Sequence, residues 1–237
     1  VKSLIAVTSD KCYENIGKNS GYVETDKLGG SDPYSASKAA TELVVNSYYK
    51  SFFEGKIKCG ISSVRAGNVI GGGDWSRNRL IPDCIKSLLG NKKIFLRNPD
   101  YTRPWQHVLE PLKGYLILAK KQYETPNKFS GAWNFGSNPN SIVSVKKITE
   151  LIINFWGTGK ITSKKNKFSE QKFLQIMSNK SKKYLKWKPN FNIKKAVKVT
   201  SDWYFCVEKE KKDPIEITKQ QINEYMISSK KIKKAMG

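Results

Sequence analysis

Residues 3–65 open on the apolar run SLIAVT (Ser3–Thr8) and end on IKCGISSVR (Ile57–Arg65). A short continuous apolar run with β-branched residues predicts a strand of a parallel sheet that is buried on both faces. Between the two runs, apolar residues recur at helical spacing through Tyr34–Phe53, which predicts a long helix. A strand, a long helix and a second strand form one βαβ unit. The sequence therefore predicts an α/β protein built on a parallel sheet.

The start of this helix carries both structural and chemical signals. Ser31 or Asp32 can act as the N-cap, and Pro33 suits the first helical position. Tyr34 and Lys38 then lie one turn apart on the same helix face. A lysine ammonium held near a phenol favours the phenolate, which can take a hydroxyl proton while a hydride leaves the carbon. An exposed helix pair without function is the alternative, because the bare pattern is common.

A polar cluster follows the first predicted strand. Thr8, Ser9, Asp10 and Lys11 stand directly at its end. In open α/β sheets, ligands bind at the carboxyl ends of the strands. The cluster therefore adds weight to a catalytic interpretation of the helical tyrosine–lysine pair. The alternative for the aspartate and lysine is an adjacent ion pair on the surface.

Further elements are predicted beyond Asn68, where three glycines at 71–73 indicate a flexible loop. Arg65 is expected to be a buried structural residue of its strand. The periodicity predicts helices near Leu80–Leu89, Val108–Lys121, Val145–Trp156, Ile193–Cys206 and Ile217–Ile227, and strands near Ile94–Leu96 and Trp133–Phe135.

The composition is strongly basic, with 43 Lys and Arg against 20 Asp and Glu and a net charge of +23. All arginines lie in the first part of the chain, and most of the excess charge lies in the last third. Such a balance can indicate nucleic-acid binding. A lysine-rich solvated surface is the favoured interpretation, because the lysines are spread among apolar and aromatic residues.

The cysteines and the single histidine exclude a zinc site of usual spacing. The four cysteines are far apart and form no CxxC pair, and His107 is the only histidine. Scattered cysteines are typical of the reducing cytoplasm, where we expect the protein. No apolar run approaches the roughly 18 residues of a membrane span, so no membrane association is expected. We expect a structural role for His107.

Several motifs resemble those of the extended short-chain dehydrogenases/reductases, the NAD-dependent epimerases and dehydratases. The order strand, TSDK, loop, SDPYSASK, helix, strand, RAGNVIGGGDW carries this resemblance. Within the family, the chain most resembles the sugar-nucleotide 4,6-dehydratases that act on CDP-glucose. The stretches that carry the closer resemblance are TSDKCYEN (Thr8–Asn15), GGGDWSRNRLIPDCI (Gly71–Ile85), RPWQHVLEPLKGYL (Arg103–Leu116), GAWNFG (Gly131–Gly136) and TKQQINEY (Thr218–Tyr225).

The resemblance implies five catalytic residues. Ser9 would polarise the 4-hydroxyl of the hexose, whose proton Tyr34 would take. Lys38 would tune Tyr34 and, together with it, bind the nicotinamide ribose of NAD. Asp10 would protonate the departing 6-hydroxyl. Lys11 stands where dTDP-glucose relatives carry a glutamate that removes the C5 proton, and it can act as a base only when it is partly neutral.

The resemblance also implies the ligands and the assembly. Asn68 would contact the substrate CDP-glucose, and Arg79 and Arg103 would bind its diphosphate, for which arginine is well suited. NAD would take a hydride from C4, water would leave from C5 and C6, and the hydride would return to C6. The product, a 4-keto-6-deoxy sugar nucleotide, belongs to deoxysugar and O-antigen synthesis. A homo-oligomer is expected.

One departure from the family pattern concerns the cofactor. The glycine-rich dinucleotide fingerprint is absent, and the chain enters at what resembles the fifth strand of the sheet. We therefore expect a chain truncated at its N-terminus, inactive alone, with the carboxyl-terminal part of a Rossmann-type sheet and a smaller α+β substrate-binding domain. The expected domains are 1–67 with 103–136 returning to it, 68–205 for substrate, and 206–237 as linker and terminal helix.

Two other functions remain open. Another sugar-nucleotide epimerase or dehydratase of the extended family would share the tyrosine–lysine pair. An epimerase has no need of an acid and a base at Asp10 and Lys11, so this dipeptide discriminates between the two. A basic nucleic-acid-binding protein on a decayed enzyme fold is the third and less favoured possibility.

Overall fold

The computed structural model describes residues 1–56, 58–163 and 174–235, and side chains as far as residue 229. Contacts divide these residues into two compact units. Unit 1 comprises Val1–Gly67, Glu110–Ser137 and the described residues of Gln171–Pro189. Unit 2 comprises Asn68–Leu109 and the described residues of Asn138–Glu170 and Asn190–Gly237.

The described residues form short strands and longer helices. The strands are β1 (Ser3–Val7), β2 (Gly60–Arg65), β3 (Val69–Ile70), β4 (Ile94–Leu96), β5 (Thr102–Pro104), β6 (Gln106–His107), β7 (Gly131–Asn134), β8 (Ile142–Ser144) and β9 (Ile161–Ser163). The helices are α1 (Pro33–Tyr48), α2 (Leu80–Leu89), α3 (Leu109–Glu124), α4 (Pro126–Phe129), α5 (Val145–Trp156), α6 (Asn179–Leu185), α7 (Ile193–Tyr204) and α8 (Pro214–Ala235). One π-helical turn continues α1 over Tyr49–Phe53, and another continues α7 over Phe205–Lys209.

Unit 1 is built on a parallel sheet in the order β1-β2-β7. Ser63 in the middle strand pairs with Ala6 of β1 and with Ala132 of β7. An aromatic cluster that includes Trp133 and Trp187 forms a core of this unit. The parallel sheet with its long helix confirms the predicted α/β class.

Strand β1 is less buried than predicted. The expectation that Ser3–Thr8 is covered on both faces is wrong, because Leu4 and Val7 are 45% and 59% exposed. Among the described residues β1 pairs with β2 alone, so it lies at an edge of the sheet. A strand at an edge keeps one row of backbone groups unpaired and its side chains only half covered.

Helix α1 begins as predicted, with Asp32 as N-cap and Pro33 as its first residue. Its buried side consists of Ser35, Ala39 and Glu42. This side is small and mostly polar, and Ala39 is its only member from the predicted apolar stripe. The large residues of that stripe are exposed: Leu43, Val44, Tyr48 and Phe52.

Unit 2 packs helix α5 against α2 and α7. Ile85, Ile152 and Tyr204, one from each helix, are almost fully buried in its apolar core. Two-stranded ladders pair β3 with β6, β4 with β9, and β5 with β8. The core therefore rests on helices rather than on a continuous sheet.

Most predicted elements are present, some with shifted ends. The predicted bounds of α2, β4 and α5 are confirmed to the residue. Strand β2 begins at Gly60, because residues 54–56 form a turn before pairing starts; residue 57 lies outside the described residues. The other shifted elements are β1, α1, α3, α7, α8 and β7, in each of which at least one end differs from the predicted one, by up to eight residues.

The two units differ from the expected domains in three places. Residues 103–109 fall in unit 2, because β5 pairs there with β8. Residues 174–189 fall in unit 1, because the Ser181 hydroxyl donates a hydrogen bond to the Asn134 carbonyl. The segment from residue 206 falls in unit 2, because α8 packs against α7.

Candidate active site

The end of strand β1 is held beside the end of β2. The Thr8 N–H donates to the Val64 carbonyl at 2.9 Å, and the Asp10 N–H donates to the Ala66 carbonyl at 3.2 Å. The polar cluster therefore stands at the carboxyl end of a parallel strand. Ligands of open α/β sheets bind at this end of the strands.

Ser9 and Asp10 form a buried polar pair. Ser9 Oγ donates to Asp10 Oδ1 at 2.9 Å, and the Lys11 N–H donates to Ser9 Oγ at 3.2 Å. Gly67 borders the carboxylate so closely that a Cβ there would collide with Asp10 Oδ2. Only glycine permits this approach, and it leaves the carboxyl in one orientation. A fixed carboxyl of this kind can deliver a proton to one place.

The tyrosine–lysine pair lies on the first two turns of α1. Ser35 turns inward, where its N–H and hydroxyl donate to the two carboxylate oxygens of Asp32 at 3.0 and 2.6 Å. This cap leaves Tyr34 pointing outward, with 53% of it exposed. Lys38 Nζ lies 5.7 Å from the centroid of the Tyr34 ring. The two side chains are thus neighbours on one side of the helix.

Helix α1 packs against the 3-10 turn Asp10–Cys12. This contact lies within unit 1 and places both polar motifs on neighbouring elements. The five residues for which the resemblance implies catalytic roles therefore lie on two packed elements or directly beside them: Ser9, Asp10, Lys11, Tyr34 and Lys38. The roles themselves stay predictions.

A buried ion pair joins α1 to the sheet, and the sequence did not indicate it. The Arg65 Nε and Nη2 donate to the two oxygens of the Glu42 carboxylate at 2.9 and 2.7 Å. The hydroxyls of Thr8 and Ser63 donate to the same oxygens, each at 2.5 Å. Burial by itself raises the pKa of Glu42, but Arg65 and the two hydroxyls outweigh it and hold that pKa below its usual value.

The ion pair continues into a wider polar network. Arg65 Nη1 donates to the Tyr13 hydroxyl at 2.6 Å, which donates to Asn134 Oδ1 at 2.8 Å. Arg65 is 2% exposed, so its expected place in the interior is confirmed. A signal for Glu42 was present, because an acidic residue one turn beyond Lys38 falls on the same helix side as Ala39. Its partners are distant in sequence, and no local pattern reveals them.

The three predicted substrate-binding residues lie in unit 2. Asn68 adopts the left-handed conformation with φ of +48°, and it lines one cavity with Arg79 and Trp105. The Arg79 side chain is exposed, with Nε 3.9 Å from Asp74 Oδ2. Arg103 lies on β5 and does not line that cavity. The structure therefore brings Asn68 and Arg79 together and leaves Arg103 apart from them.

Two aromatic residues of α7 hold the glycine loop that precedes Arg79. Trp203 lies flat against Gly72, where a Cβ would collide with its indole ring. The Tyr204 hydroxyl donates to the Asp74 carbonyl at 2.6 Å. Sequence reasoning missed both residues, because they follow the loop by about 130 positions.

His107 is buried in unit 2 and has no catalytic neighbours among the described residues. Its Nδ1 accepts a hydrogen bond from the Leu109 N–H at 3.3 Å, and its ring meets the Phe191 ring at 5.6 Å between centroids. Burial lowers the pKa of His107 to about 4. These contacts support the expected structural role.

The low pKa of His107 predicts a loss of stability in mild acid. Below pH of about 6.5 the unfolded chain takes up a proton on this residue, whereas the folded chain does so only near pH 4. The protein should therefore lose about 2 kcal/mol from this group between pH 8 and pH 5. Urea unfolding at pH 8 and pH 5 measures this loss in the free energy of unfolding. It compares the natural protein (the product of its complete gene, without substitutions) with His107→Gln. Equal pH dependence in both proteins would contradict the prediction.

Among the described residues, no group of acidic, cysteine or histidine side chains could hold a metal ion. No helix in the described part of the chain is long and apolar enough to cross a membrane. All four cysteines have free thiols.

Comparison with known proteins identifies relatives along most of the chain. A family model described as GDP-mannose 4,6 dehydratase matches residues 2–200. CDP-glucose 4,6-dehydratase of Salmonella typhimurium is 38% identical over 232 residues, which cover 95% of this chain and 64% of that protein. dTDP-D-glucose 4,6-dehydratase of Dictyostelium discoideum is 29% identical over 166 residues, covering 65% of this chain and 36% of that protein. The chain thus spans less than two thirds of these relatives.

Solved structures share the fold. dTDP-glucose 4,6-dehydratase from Bacillus anthracis in complex with NAD matches with a TM-score of 0.72 at 22% identity, covering 88% of this chain and 63% of that one. A UDP-glucose 4-epimerase also matches with a TM-score of 0.72, at 21% identity, covering 86% of this chain and 64% of that one. Because dehydratases and epimerases match equally well, these structural likenesses show the fold alone and not the function.

Proposed function

The chain belongs to the GDP-mannose 4,6 dehydratase family, and we propose that it carries the catalytic residues of a lyase, a sugar-nucleotide 4,6-dehydratase whose substrate is CDP-glucose. One observation carries the proposal: the buried Ser9–Asp10 pair, followed by Lys11, stands at the end of β1 against the helix of Tyr34. Dehydration needs an acid for the leaving hydroxyl and a base for the C5 proton. This cluster offers both.

The proposed roles follow from what each group can do. Tyr34 as a phenolate accepts the proton of the 4-hydroxyl, and Lys38 stabilises the phenolate charge. Ser9 Oγ holds the same hydroxyl by a hydrogen bond. The Asp10 carboxyl then gives its proton to the departing 6-hydroxyl, and Lys11 in its neutral form takes the C5 proton. When the hydride returns to C6, the protonated Lys11 gives a proton back to C5, and the proton taken by Tyr34 balances the one that Asp10 lost.

The residues of α1 fit the nicotinamide end of NAD. The Tyr34 hydroxyl and the Lys38 ammonium are hydrogen-bond donors on one accessible helix side, as ribose hydroxyls require. Bound NAD supplies the group that accepts a hydride from C4 and returns it to C6. The protein residues orient the sugar and move its protons.

The substrate assignment rests on the Salmonella relative, which is named a CDP-glucose 4,6-dehydratase. Asn68 and Arg79 are proposed to bind the sugar nucleotide, since they line one cavity and a guanidinium suits a diphosphate. Arg103 is proposed as a second diphosphate ligand. A cytoplasmic site, a homo-oligomer and a part in deoxysugar and O-antigen synthesis complete the proposal.

A C4 epimerase is the alternative enzyme, because it would use the same tyrosine–lysine pair. To distinguish them, the natural protein is incubated with NAD and with CDP-glucose deuterated at C4. A dehydratase yields the 4-keto-6-deoxy sugar nucleotide with deuterium at C6 and no net NADH. A C4 epimer that retains its C6 oxygen would overturn the proposal. Binding of random duplex DNA at near-physiological salt, without turnover, would favour the nucleic-acid alternative.

Replacing Lys11 with alanine should separate the chemical steps. C4 oxidation uses Tyr34 and continues, whereas elimination loses its base and slows by about 10²-fold or more. In single-turnover reactions NADH should therefore accumulate in Lys11→Ala and not in the natural protein. Lys27→Ala, which removes an exposed lysine of the same unit, should behave as the natural protein. Near-normal turnover of Lys11→Ala would show that the base lies elsewhere.

A further inference from the structure

The Glu42 carboxylate is the point where α1 meets the end of β1. Its two oxygens receive four hydrogen bonds, two from Arg65 and one each from the hydroxyls of Thr8 and Ser63. Thr8 immediately precedes Ser9, and Glu42 lies on the helix that carries Tyr34. The hydrogen bond from Thr8 to Glu42 therefore links the two halves of the candidate site directly.

Stable packing of α1 on the sheet does not require this hydrogen bond. Apolar packing between a helix and a sheet is generally as stable as a buried ion pair, or more stable. The Thr8 hydroxyl also has a second acceptor within reach, the Val64 carbonyl at 3.1 Å. Glu42 Oε1 likewise keeps Arg65 Nε as a donor when Thr8 is removed. The Thr8–Glu42 hydrogen bond adds a fixed position of α1 relative to the end of β1, because a hydrogen bond is directional and apolar contact is not.

We propose that Glu42 is a positioning residue, which acts through Thr8 to hold the helix of Tyr34 and Lys38 in register with the strand end of Ser9, Asp10 and Lys11. This inference rests on the proposed function. Glu42 and Thr8 are themselves buried, at 3% and 8% exposed. Catalytic groups must stand within a fraction of an ångström of their productive places, so a small slip of α1 lowers the rate of chemistry more than it lowers binding.

The test compares three variants of the natural protein. Thr8→Val removes only the hydroxyl and leaves Glu42 bonded to Arg65 and Ser63. Thr8→Ser restores the hydroxyl. Ser62→Ala is the matched control, because Ser62 is fully buried in the neighbouring strand and hydrogen-bonded to Phe129 and Gln122, outside the Glu42 network.

The first measurement is turnover of CDP-glucose. We expect Thr8→Val to lower kcat by about tenfold while KM stays within about twofold, since binding groups are untouched. Thr8→Ser should recover kcat to within about threefold, and Ser62→Ala should keep it, although its melting temperature falls. Normal kcat in Thr8→Val, or an equal loss in Ser62→Ala, would overturn the positioning role.

The second measurement needs no turnover. The protein is labelled with 3-fluorotyrosine, and the fluorine resonance of Tyr34 is assigned by its loss in Tyr34→Phe. The resonance should shift or broaden in Thr8→Val and stay unchanged in Ser62→Ala. If the natural protein makes no dehydrated product, the proposed function fails, and this resonance still decides the inference: an unmoved Tyr34 signal in Thr8→Val refutes the link.

Discussion

Tyr34→Phe should abolish the first hydride transfer and lower turnover of CDP-glucose by about 10³-fold. The change removes one oxygen, the proposed acceptor of the 4-hydroxyl proton. The ring is 53% exposed and its hydroxyl is not part of a buried network, so the fold should tolerate the change. Single-turnover absorbance of reduced nicotinamide should show no signal, in contrast to the accumulation expected for Lys11→Ala.

Tyr48→Phe is the matched control for this prediction. Tyr48 lies on the same helix, is 59% exposed, and its ring is tilted against the Phe52 ring of the same helical segment. Its loss of a hydroxyl should leave turnover unchanged. Turnover of Tyr34→Phe within about threefold of the natural protein would show that another group takes the proton, and the proposed role of α1 would fail.

The parts of the molecule that were predictable depend on local patterns. Asp32 and Pro33 mark the start of α1 because capping involves neighbours within three residues. The bounds of α2 and α5 follow from apolar periodicity alone. The pairing of a strand end with a tyrosine–lysine helix followed from the rule for parallel sheets, which needs only the order of elements.

The parts that were missed depend on partners far along the chain. Glu42 was not identified from the sequence, because its partner Arg65 stands 23 positions away. For the same reason the burial of α1 was not predicted correctly. Hydrophobicity indicated Leu43 and Val44 as buried, but the buried side carries Glu42, whose partner Arg65 lies in β2. The close approach of Gly67 to Asp10 is a third case, since nothing in either residue's neighbourhood indicates the other.

Glu42→Gln should destabilise unit 1 more than any other single change considered. The glutamine keeps the shape and an oxygen acceptor, but it leaves the Arg65 guanidinium buried without a counter-charge. Arginine does not give up its proton inside a protein, so it cannot escape the cost by becoming neutral. We expect the variant to lose about 3–5 kcal/mol in the free energy of unfolding. Urea denaturation of Glu42→Gln and of the natural protein measures the difference.

The double variant Glu42→Gln/Arg65→Met tests whether the charge is the cause. Both charges are then gone, and the methionine fills the space of the arginine stem. The glutamine oxygen accepts from one of the two hydroxyls of Thr8 and Ser63, and its NH2 group donates to the other. The double variant should recover most of the stability that Glu42→Gln loses, because a buried pair replaced as a unit leaves no uncompensated charge. Equal destabilisation in the single and double variants would show that the loss does not come from the uncompensated charge of Arg65.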